Sequence, residues 1–313
     1  MNIIFGSSGF VGQCLSTYIG SKNDCFDINS TADSKFCDVR NPIEVECNNV
    51  DVIYNLAAVH TTPGHEYHEY FETNIKGAEN VCEFARANNI NTIVFTSSIA
   101  PYGTWEDEKF EDSLPLPTSA YGSSKLVAEE IHKRWQAEKP DERKLIIVRP
   151  GVVFGQNEGG NFTRLYRAMK KRRFFYPGRK DTKKAAIYVK DLVRIMVEMA
   201  AKEKPGVHLY NTVYTPVHSI QEICETMAIV TGVKEPKFKI PADMLTFAAA
   251  SINVFGKMIG KTFDGIHPDR VKKLMISTNI NGQKLLDHGY ELEYSLEEAI
   301  ADWNADCNQE GLY

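Results

Sequence analysis

The chain has 313 residues, of which 43% are hydrophobic and 25% are charged, and its formal net charge is −5. These values are ordinary for a globular protein of one large domain or two closely joined ones, and the negative charge excludes a general attraction to nucleic acid. The seven cysteines are scattered and form no Cys-x-x-Cys pair, which argues against a zinc site or a redox dithiol.

The first predicted element is an apolar strand over residues 1–5. It leaves no room for a secretion signal, and an odd number of cysteines is typical of a reducing compartment, so we expect a cytoplasmic protein. A glycine-rich turn and an apolar helical pattern follow the strand, and this order is the context of the dinucleotide fingerprint. The alternative is a plain surface turn. The residues predicted to bind the cofactor here are Gly6, Ser8, Gly9, Phe10, Val11 and Gly12.

A second short strand is predicted over residues 24–28. Asp27 lies near its end, where an acidic residue accepts hydrogen bonds from the adenosine ribose. A carboxylate repels a 2′-phosphate, so we predict NAD rather than NADP. Asp38 and Val39 are predicted to hold the adenine edge. The alternative interpretation is that both aspartates are solvent-exposed loop residues that bind no cofactor.

The third predicted strand covers residues 50–56 and continues into Leu56, Ala57 and Ala58. Small residues at the carboxyl end of a strand leave space for a flat cofactor, and ligands of open parallel sheets bind beyond these ends. His60 and His65 follow at no metal-binding spacing, so we interpret them as polar loop residues and expect no metal.

Residues 92–96 form the next predicted strand, which ends at Ser97 and Ser98. A helix is predicted over residues 121–138, and Tyr121 and Lys125 lie one turn apart on it. A neighbouring ammonium favours the phenolate, so we expect a lowered phenol pKa that suits a general base. Ser98 would align a substrate hydroxyl with Tyr121. Together these residues predict hydride transfer to a nicotinamide.

Strands and helices alternate up to about residue 155, which predicts a parallel sheet covered on both faces. Beyond residue 160 the alternation weakens. Residues 169–184 carry eight basic residues against Asp181, with Phe174, Phe175 and Tyr176 among them. Such a patch suits an anionic membrane surface or a diphosphate. The alternative is a solvated helix face followed by a buried aromatic strand.

Residues 244–255 are uncharged but too short to span a membrane. We interpret them as a core helix of a second domain, with an interfacial helix as the alternative.

Several motifs in this order resemble the extended short-chain dehydrogenase/reductases, and within them the NAD-dependent sugar epimerases and dehydratases. The motifs are the three glycines at 6, 9 and 12, Asn55-Leu56-Ala57-Ala58, Asn74-Ile75-Lys76-Gly77, Thr96-Ser97-Ser98, Tyr121-x-x-x-Lys125 and Arg149-Pro150-Gly151-Val152-Val153.

The resemblance implies an α/β fold. A Rossmann-type doubly wound parallel sheet (residues 1–160 and about 185–215) would bind NAD, and a smaller C-terminal α/β unit (about 161–184 and 216–313) would bind substrate. The further residues that it implies for the cofactor are Asn74, Tyr121, Lys125, Pro150, Val152 and Val153. Those implied for the substrate are Ser98, Ile99, Ala100, Tyr121, Asn161 and Lys184.

At several positions this chain differs from the motifs of particular enzymes in the family, and these differences reduce the number of reactions that it could catalyse. The dehydratases carry Thr-Asp-Glu where this chain has Ser98-Ile99-Ala100, and the epimerase/reductases of the fucose-synthase type carry a Cys and a His where Ile99 and Asn157 stand. The UDP-galactose 4-epimerases carry a phosphate-binding Asn where Val152 stands. Residues 159–162, 173–178 and 270–274 look similar to bacterial epimerases of undecaprenyl-diphosphate-linked N-acetylglucosamine.

The sequence therefore predicts an NAD-dependent 4-epimerase of a hexose or N-acetylhexosamine on UDP or undecaprenyl diphosphate, in bacterial O-antigen and lipopolysaccharide synthesis. A 4-ketoreductase making a deoxysugar nucleotide and a non-catalytic NAD-binding regulator are the alternatives. The predicted partners are the sugar-diphosphate substrate, a second copy in a homodimer, and the inner membrane as a peripheral contact, but not nucleic acid.

Overall fold

The computed structural model describes residues 1–61, 64–241 and 275–313. The apolar segment at 244–255 and the basic stretch at 270–274 lie outside the described residues.

A central sheet of seven parallel strands forms the frame of the molecule. Its strands, in chain order, are β1 (Asn2–Phe5), β2 (Asn23–Asp27), β3 (Lys35–Phe36), β4 (Val52–Asn55), β5 (Thr92–Thr96), β6 (Lys144–Pro150) and β10 (Gly206–Thr212). They lie in the order β10-β6-β5-β4-β1-β2-β3. The chain order reverses between β1 and β4, which is the switch point where open parallel sheets bind ligands. This sheet confirms the predicted doubly wound fold.

Each central strand alternates its buried side chains between the two faces of the sheet, because successive residues of a strand point to opposite sides. On one face Ile4, Val94 and Ile146 join a core with α1 (Phe10–Ile19) and α5 (Val189–Lys202). On the other, Ile3, Ile93 and Ile147 join a core with α2 (Tyr67–Ala87) and α3 (Ala120–Ala137). The sheet is therefore apolar on both sides and closed to water.

The apolar pattern of the sequence predicts a helix over residues 75–88, but α2 begins at Tyr67, eight residues earlier. A capping box at its start explains the difference, because the Glu66 side chain accepts a backbone hydrogen bond from Glu69 and the Glu69 carboxylate accepts one from the Glu66 N–H at 2.6 Å. The helix starts with the exposed residues Tyr67 and His68, which add no hydrophobic periodicity to the sequence.

The chain leaves the central sheet after β6 and returns to it at β10. In between it forms β7 (Val152–Phe154), α4 (Asn161–Lys170), β8 (Tyr176–Pro177), β9 (Ala186–Tyr188) and α5. Strand β7 pairs with β9, and β8 pairs with β11 (Lys239–Ile240). The described part of the chain ends with α6 (Ile220–Thr231), α7 (Gln283–Asp287) and α8 (Leu296–Asp306), which pack mainly on the α5 side.

Two surface properties bear on the predicted partners. Trp135, near the end of α3, is fully buried and stacks with the Arg143 guanidinium at 4.8 Å, so it contributes nothing to a dimer surface. Within residues 1–61, 64–241 and 275–313, no helix is both long enough and apolar enough to cross a membrane.

Candidate active site

The carboxyl ends of β1, β4 and β5 meet at the switch point and place three loops side by side. The Leu56 N–H donates to the Phe5 carbonyl at 2.9 Å, which joins the loop after β4 to the glycine turn after β1. The Ser97 N–H donates to the Val148 carbonyl at 2.8 Å and fixes the start of the loop after β5 on β6. The predicted cofactor and catalytic segments therefore share one edge of the sheet.

The glycine turn is closely packed at two of its three glycines. Gly6 has φ +85°, and a Cβ placed there would lie 2.6 Å from the Ala57 nitrogen. A Cβ at Gly12 would lie 2.2 Å from the Gly6 oxygen. At Gly9 the nearest protein atom would be 3.4 Å away. Gly6 and Gly12 are thus required by the protein itself, whereas Gly9 leaves open a space that suits a close-lying ligand.

Alanine at Gly9 and at Gly12 should produce different defects. Gly12→Ala should lower the free energy of unfolding by about 1–3 kcal/mol, because the new methyl group overlaps backbone. Gly9→Ala should leave that energy nearly unchanged and weaken NAD binding about tenfold or more, because the methyl group fills the space for the pyrophosphate. Urea unfolding and NAD titration measure the two effects. Equal losses of stability in both variants would contradict this division.

The N-terminus of α1 suits a pyrophosphate. Its N-cap residue is Gly9, which makes no side-chain capping bond, and the first turn holds no acidic residue. The amino end of the helix therefore presents its partial positive charge and its backbone N–H groups without competition from the chain's own side chains.

Asp27 lies beside the glycine turn at the end of β2. Its carboxylate accepts from the backbone N–H of Ser8 at 3.1 Å and from that of Asn29 at 2.9 Å. These bonds fix the carboxylate but leave acceptor capacity for a hydroxyl pair. The position fits the predicted contact with a ribose.

Asp38 and Val39 follow β3. The guanidinium of Arg40 donates to the Asp38 carboxylate at 2.7–3.1 Å and holds the pKa of that carboxyl below its usual value. Val39 is buried, and its carbonyl accepts from the Asn80 amide at 2.7 Å. A contact between this pair and adenine stays a prediction.

Asn74 joins the loop after β4 to helix α3. Its side-chain oxygen accepts from the Val59 N–H at 2.9 Å, and its amide donates to the Val59 carbonyl at 3.1 Å and to the Ser124 hydroxyl at 2.8 Å. Ser124 lies between Tyr121 and Lys125 in the sequence. Asn74, predicted to bind the cofactor, is therefore placed to position the loop of Leu56, Ala57 and Ala58 against the catalytic helix.

Tyr121, Ser98 and Lys125 meet above the end of β5. The Ser98 hydroxyl lies near the Tyr121 phenol and lowers its pKa, and the Ser98 oxygen accepts from the Ala100 N–H at 3.1 Å. The Lys125 ammonium donates to the Thr96 carbonyl at 2.8 Å and lies 4.7 Å from the centre of the Phe95 ring. The three predicted catalytic side chains are thus brought together.

The start of α3 is fixed against the loop that carries Ser98. The Ser119 hydroxyl caps the helix by accepting from the Gly122 N–H at 3.1 Å. A Cβ at Gly122 would lie 2.5 Å from the Ala100 oxygen, so only glycine allows the helix to approach the 3-10 turn at Ala100–Tyr102. This close approach places Tyr121 within reach of Ser98.

The expected lowering of the phenol pKa is wrong for the protein without ligand. Burial raises the pKa of Tyr121 to about 12, and the hydrogen bond from Ser98 offsets only part of that rise. Burial also lowers the pKa of Lys125 to about 7. The amine is therefore only partly charged at neutral pH, and its bond is directed at Thr96, so it gives the phenol little electrostatic support.

The pKa of Lys125 predicts how stability depends on pH. The folded-state pKa of about 7 lies below the ordinary 10.5, so the unfolded chain binds more protons between these values, and the free energy of unfolding should rise with pH from 7 to 9. The slope is up to about 1.4 kcal/mol per pH unit. Lys125→Met should remove this rise. Urea unfolding of the ligand-free protein at several pH values measures it, and parallel curves for the two proteins would exclude this assignment.

A buried charge pair lies beneath the catalytic residues. The Arg149 guanidinium donates to both oxygens of Glu129, at 2.9 and 2.6 Å, and the two side chains are 2% and 0% exposed. The Ser97 hydroxyl donates to the same carboxylate. Arg149 also stacks on the Tyr102 ring at 4.7 Å. This network fixes the loop of Ser98 and the 3-10 turn from inside.

Sequence reasoning missed Glu129 as part of the site. The signal was present, because residues 121, 125 and 129 are spaced four apart and lie on one helical face. From the sequence alone, an isolated Glu on a helix is interpreted as a charged surface residue. Its part in the site becomes visible only when the structure shows it buried against Arg149.

Residues near the end of β6 border the same region. Pro150 is buried and its carbonyl accepts from the Ile99 N–H at 3.2 Å. Val152 and Val153 are half-buried in β7, and the Val152 N–H donates to the Ala185 carbonyl at 2.9 Å. Just beyond β7, a Cβ at Gly155 would lie 3.6 Å from the Phe10 ring. The chain therefore passes the glycine turn before α4 begins.

The predicted substrate residues outside this cluster are Asn161 and Lys184. Asn161 is exposed and is the first residue of α4, whose amino end is capped by Glu158. The Lys184 ammonium donates to the Ile276 carbonyl at 2.8 Å, and burial lowers its pKa to about 8. Ile99 packs beside the buried Tyr102 and Ala185, and Ala100 begins the 3-10 turn.

A model of the NAD dependent epimerase/dehydratase family matches residues 2–212, which run from β1 to the end of β10. Among curated relatives, N-acetyl-alpha-D-glucosaminyl-diphospho-ditrans,octacis-undecaprenol 4-epimerase of Escherichia coli O157:H7 is 26% identical over 310 residues. The alignment covers 95% of this chain and 92% of that protein. UDP-glucose 4-epimerase of Vibrio cholerae is 22% identical over 289 residues, with 83% of this chain and 82% of the relative covered.

Among solved structures, UDP-N-acetylglucosamine 4-epimerase from Bacillus cereus superposes with a TM-score of 0.72 at 21% identity. The match covers 98% of this chain and 99% of that one.

Proposed function

We propose the catalytic residues, the sugar and the carrier for this chain, which belongs to the NAD dependent epimerase/dehydratase family. Its activity is the 4-epimerisation of a diphosphate-linked hexose or N-acetylhexosamine through a transient 4-keto sugar, with NAD as cofactor. The observation that carries the proposal is the meeting of Tyr121, Ser98 and Lys125 at the same sheet edge as the open space at Gly9.

Bound NAD supplies a reversible acceptor for the C4 hydride. The chain's own residues move the proton and hold the sugar. Tyr121 takes the proton of the C4 hydroxyl as the C4–H bond breaks, and it returns that proton when hydride is delivered to the opposite face. Ser98, which lies near the phenol, orients the C4 oxygen. Lys125 then stabilises the phenolate, which requires the amine to be protonated when ligands are bound.

The carrier that we propose is undecaprenyl diphosphate, and the sugar is N-acetylhexosamine. The Escherichia coli O157:H7 relative supports this choice, because its similarity extends over 95% of the chain. Val152 supports it as well, since an aliphatic side chain stands where a UDP-galactose 4-epimerase offers an amide to the phosphates. Lys184, and Asn161 at the start of α4, are the residues that we propose for the diphosphate and the sugar.

The proposed carrier bears on where the enzyme works and in which pathway. We propose a cytoplasmic enzyme of bacterial surface-polysaccharide synthesis that works at the inner membrane as a homodimer. Residues 1–160 and about 185–215 would form the NAD-binding domain, and residues 161–184 and 216–313 the substrate-binding domain. The excursion of the chain between β6 and β10 supports this division, because α4 and β8 form outside the central sheet.

The test is a pair of incubations without added cofactor, one with UDP-N-acetylglucosamine and one with N-acetylglucosamine on undecaprenyl diphosphate in detergent. Conversion of the lipid-linked sugar alone is expected. Conversion of the UDP-sugar alone would overturn the proposed carrier. Turnover only when NADH or NADPH is supplied and consumed would instead identify a 4-ketoreductase. NAD binding without turnover of either sugar would favour a regulator.

A further inference from the structure

Two segments that are about 60 residues apart in the sequence form one exposed surface through the pairing of β8 with β11. The Tyr176 N–H donates to the Phe238 carbonyl at 3.0 Å, and the Gly178 N–H donates to the Ile240 carbonyl at 2.8 Å. Because Tyr176 aligns with Lys239, the register sets Phe175 beside Phe238. The side chain of Phe175 is 41% exposed and that of Phe238 is 70% exposed.

Exposed cations are the sequence neighbours of these two rings. They are Arg172 and Arg173, just before β8, and Lys237 and Lys239, on either side of Phe238. We call the six residues Arg172, Arg173, Phe175, Lys237, Phe238 and Lys239 the basic–aromatic surface. The sequence alone shows only the part of this surface near β8. The part near β11 joins it through the pairing of the two strands.

The cations of this surface differ from many others on the protein in having no carboxylate partners. None of the four forms a salt bridge with a described residue. On the far side of the molecule Lys133 is paired with Glu130 and Lys139 with Glu142. In a chain of net charge −5, unneutralised cations next to exposed aromatic rings mark a local site for an anionic partner.

We propose that the basic–aromatic surface docks the enzyme on an anionic lipid bilayer. Lysine and arginine are attracted to anionic headgroups, and aromatic side chains are favoured at the boundary between headgroups and hydrocarbon. An enclosed diphosphate site would bury its arginines, whereas Arg172 and Arg173 lie open to solvent. The inference rests on the proposed function in one respect, since a lipid-linked substrate requires the enzyme to reach a membrane.

The surface also lies at a useful distance from the candidate site. Helix α4 begins at Asn161, a proposed substrate residue, and ends at Lys170, two residues before Arg172. Ten helical residues span roughly 15 Å. A bilayer held at the end of α4 would thus present its headgroups about one helix length from the residue that we propose for the sugar.

The test is sedimentation of the full chain with vesicles, without substrate or cofactor. Vesicles of one-third phosphatidylglycerol in phosphatidylcholine should bind the protein, and pure phosphatidylcholine should bind it much less. Arg172→Glu with Arg173→Glu should weaken partitioning by at least roughly thirtyfold, because each lost attraction contributes about a fivefold factor near an anionic surface and the new carboxylates add repulsion. Phe175→Ser with Phe238→Ser should also weaken it, and this loss should persist at high salt.

Matched controls use exposed residues elsewhere. Leu114→Ser removes an apolar side chain that is 71% exposed, and Arg134→Glu with Lys204→Glu reverses two exposed charges. These variants should bind vesicles like the wild type, apart from a small effect of net charge. Unfolding midpoints of all variants show whether they are folded.

Two results would overturn the proposal: no binding of the wild type to anionic vesicles, or equal losses in the surface and control variants. Stronger binding to single-stranded RNA than to vesicles at the same salt would also overturn it and assign the surface to nucleic acid. Epimerase activity is measured separately in detergent. Vesicle binding by a protein that converts only the UDP-sugar would refute the proposed carrier and leave the docking surface intact.

Discussion

Replacement of Tyr121 by phenylalanine should lower kcat by about two to four orders of magnitude, the usual contribution of a positioned general base. The phenol hydroxyl, which lies near Ser98, is the proton acceptor that we assign to the C4 hydroxyl. Phenylalanine keeps the ring and its packing 6.3 Å from Tyr70, so the pocket should retain its shape. The rate of sugar interconversion without added cofactor measures the effect.

The control for this variant is NAD affinity, which should change less than about threefold, because the ring remains and the glycine turn is untouched. Ser98→Ala is a second comparison and should cause a smaller loss, since Ser98 orients the substrate but carries no proton away. Near-normal turnover in Tyr121→Phe would refute the assignment of the base. A loss of NAD binding would show that the residue serves the cofactor rather than the proton.

Replacement of Arg149 by methionine should lower the free energy of unfolding by about 3–5 kcal/mol, because it leaves the Glu129 carboxylate buried without its partner. Arg149 is 2% exposed and Glu129 is fully buried, so water cannot replace the lost hydrogen bonds. Turnover should fall as well, because the network also holds Ser97, next to Ser98. Urea unfolding gives the energy, and kcat gives the effect on the site.

A double variant, Glu129→Gln with Arg149→Met, should recover a large part of the lost stability, because no charge is then left buried. The same substitution in an exposed pair, Arg86→Met opposite Glu138, should cost about 1 kcal/mol or less, as surface pairs usually do. If the Arg149 and Arg86 variants lost equal stability, the burial of the pair would have no energetic importance.

The sequence predicted the central architecture because its signals are local. Strand β5 was predicted at the observed residues, and the start of α3 within one residue, since an apolar run and an i, i+4 pattern identify such elements directly. The pairing of β8 with β11 was missed, because it joins two-residue strands that are about 60 residues apart and leave no periodic pattern.

Some features of the candidate site were also predictable from local sequence patterns, and others were not. Tyr121, Lys125 and the glycines were predicted from spacing, and the structure brings the first two together with Ser98. The pKa of the phenol was not predictable, because it depends on burial and on where the Lys125 ammonium is directed, and both are properties of the folded chain. The pairing of Glu129 with Arg149 was missed for the same reason, since it depends on a contact between a helix and a strand.

The late return of the chain to the sheet at β10 has a consequence for synthesis on the ribosome. The outer edge of strand β6 has no partner until residues 206–212 have emerged. Therefore α4, β8 and β9 are synthesised before the central sheet is complete. The nascent protein must therefore protect an unpaired strand edge while about 60 further residues are translated. A ribosome stalled before residue 206 would expose that edge to neighbouring chains, and truncated products ending there should aggregate far more readily than those ending beyond 212.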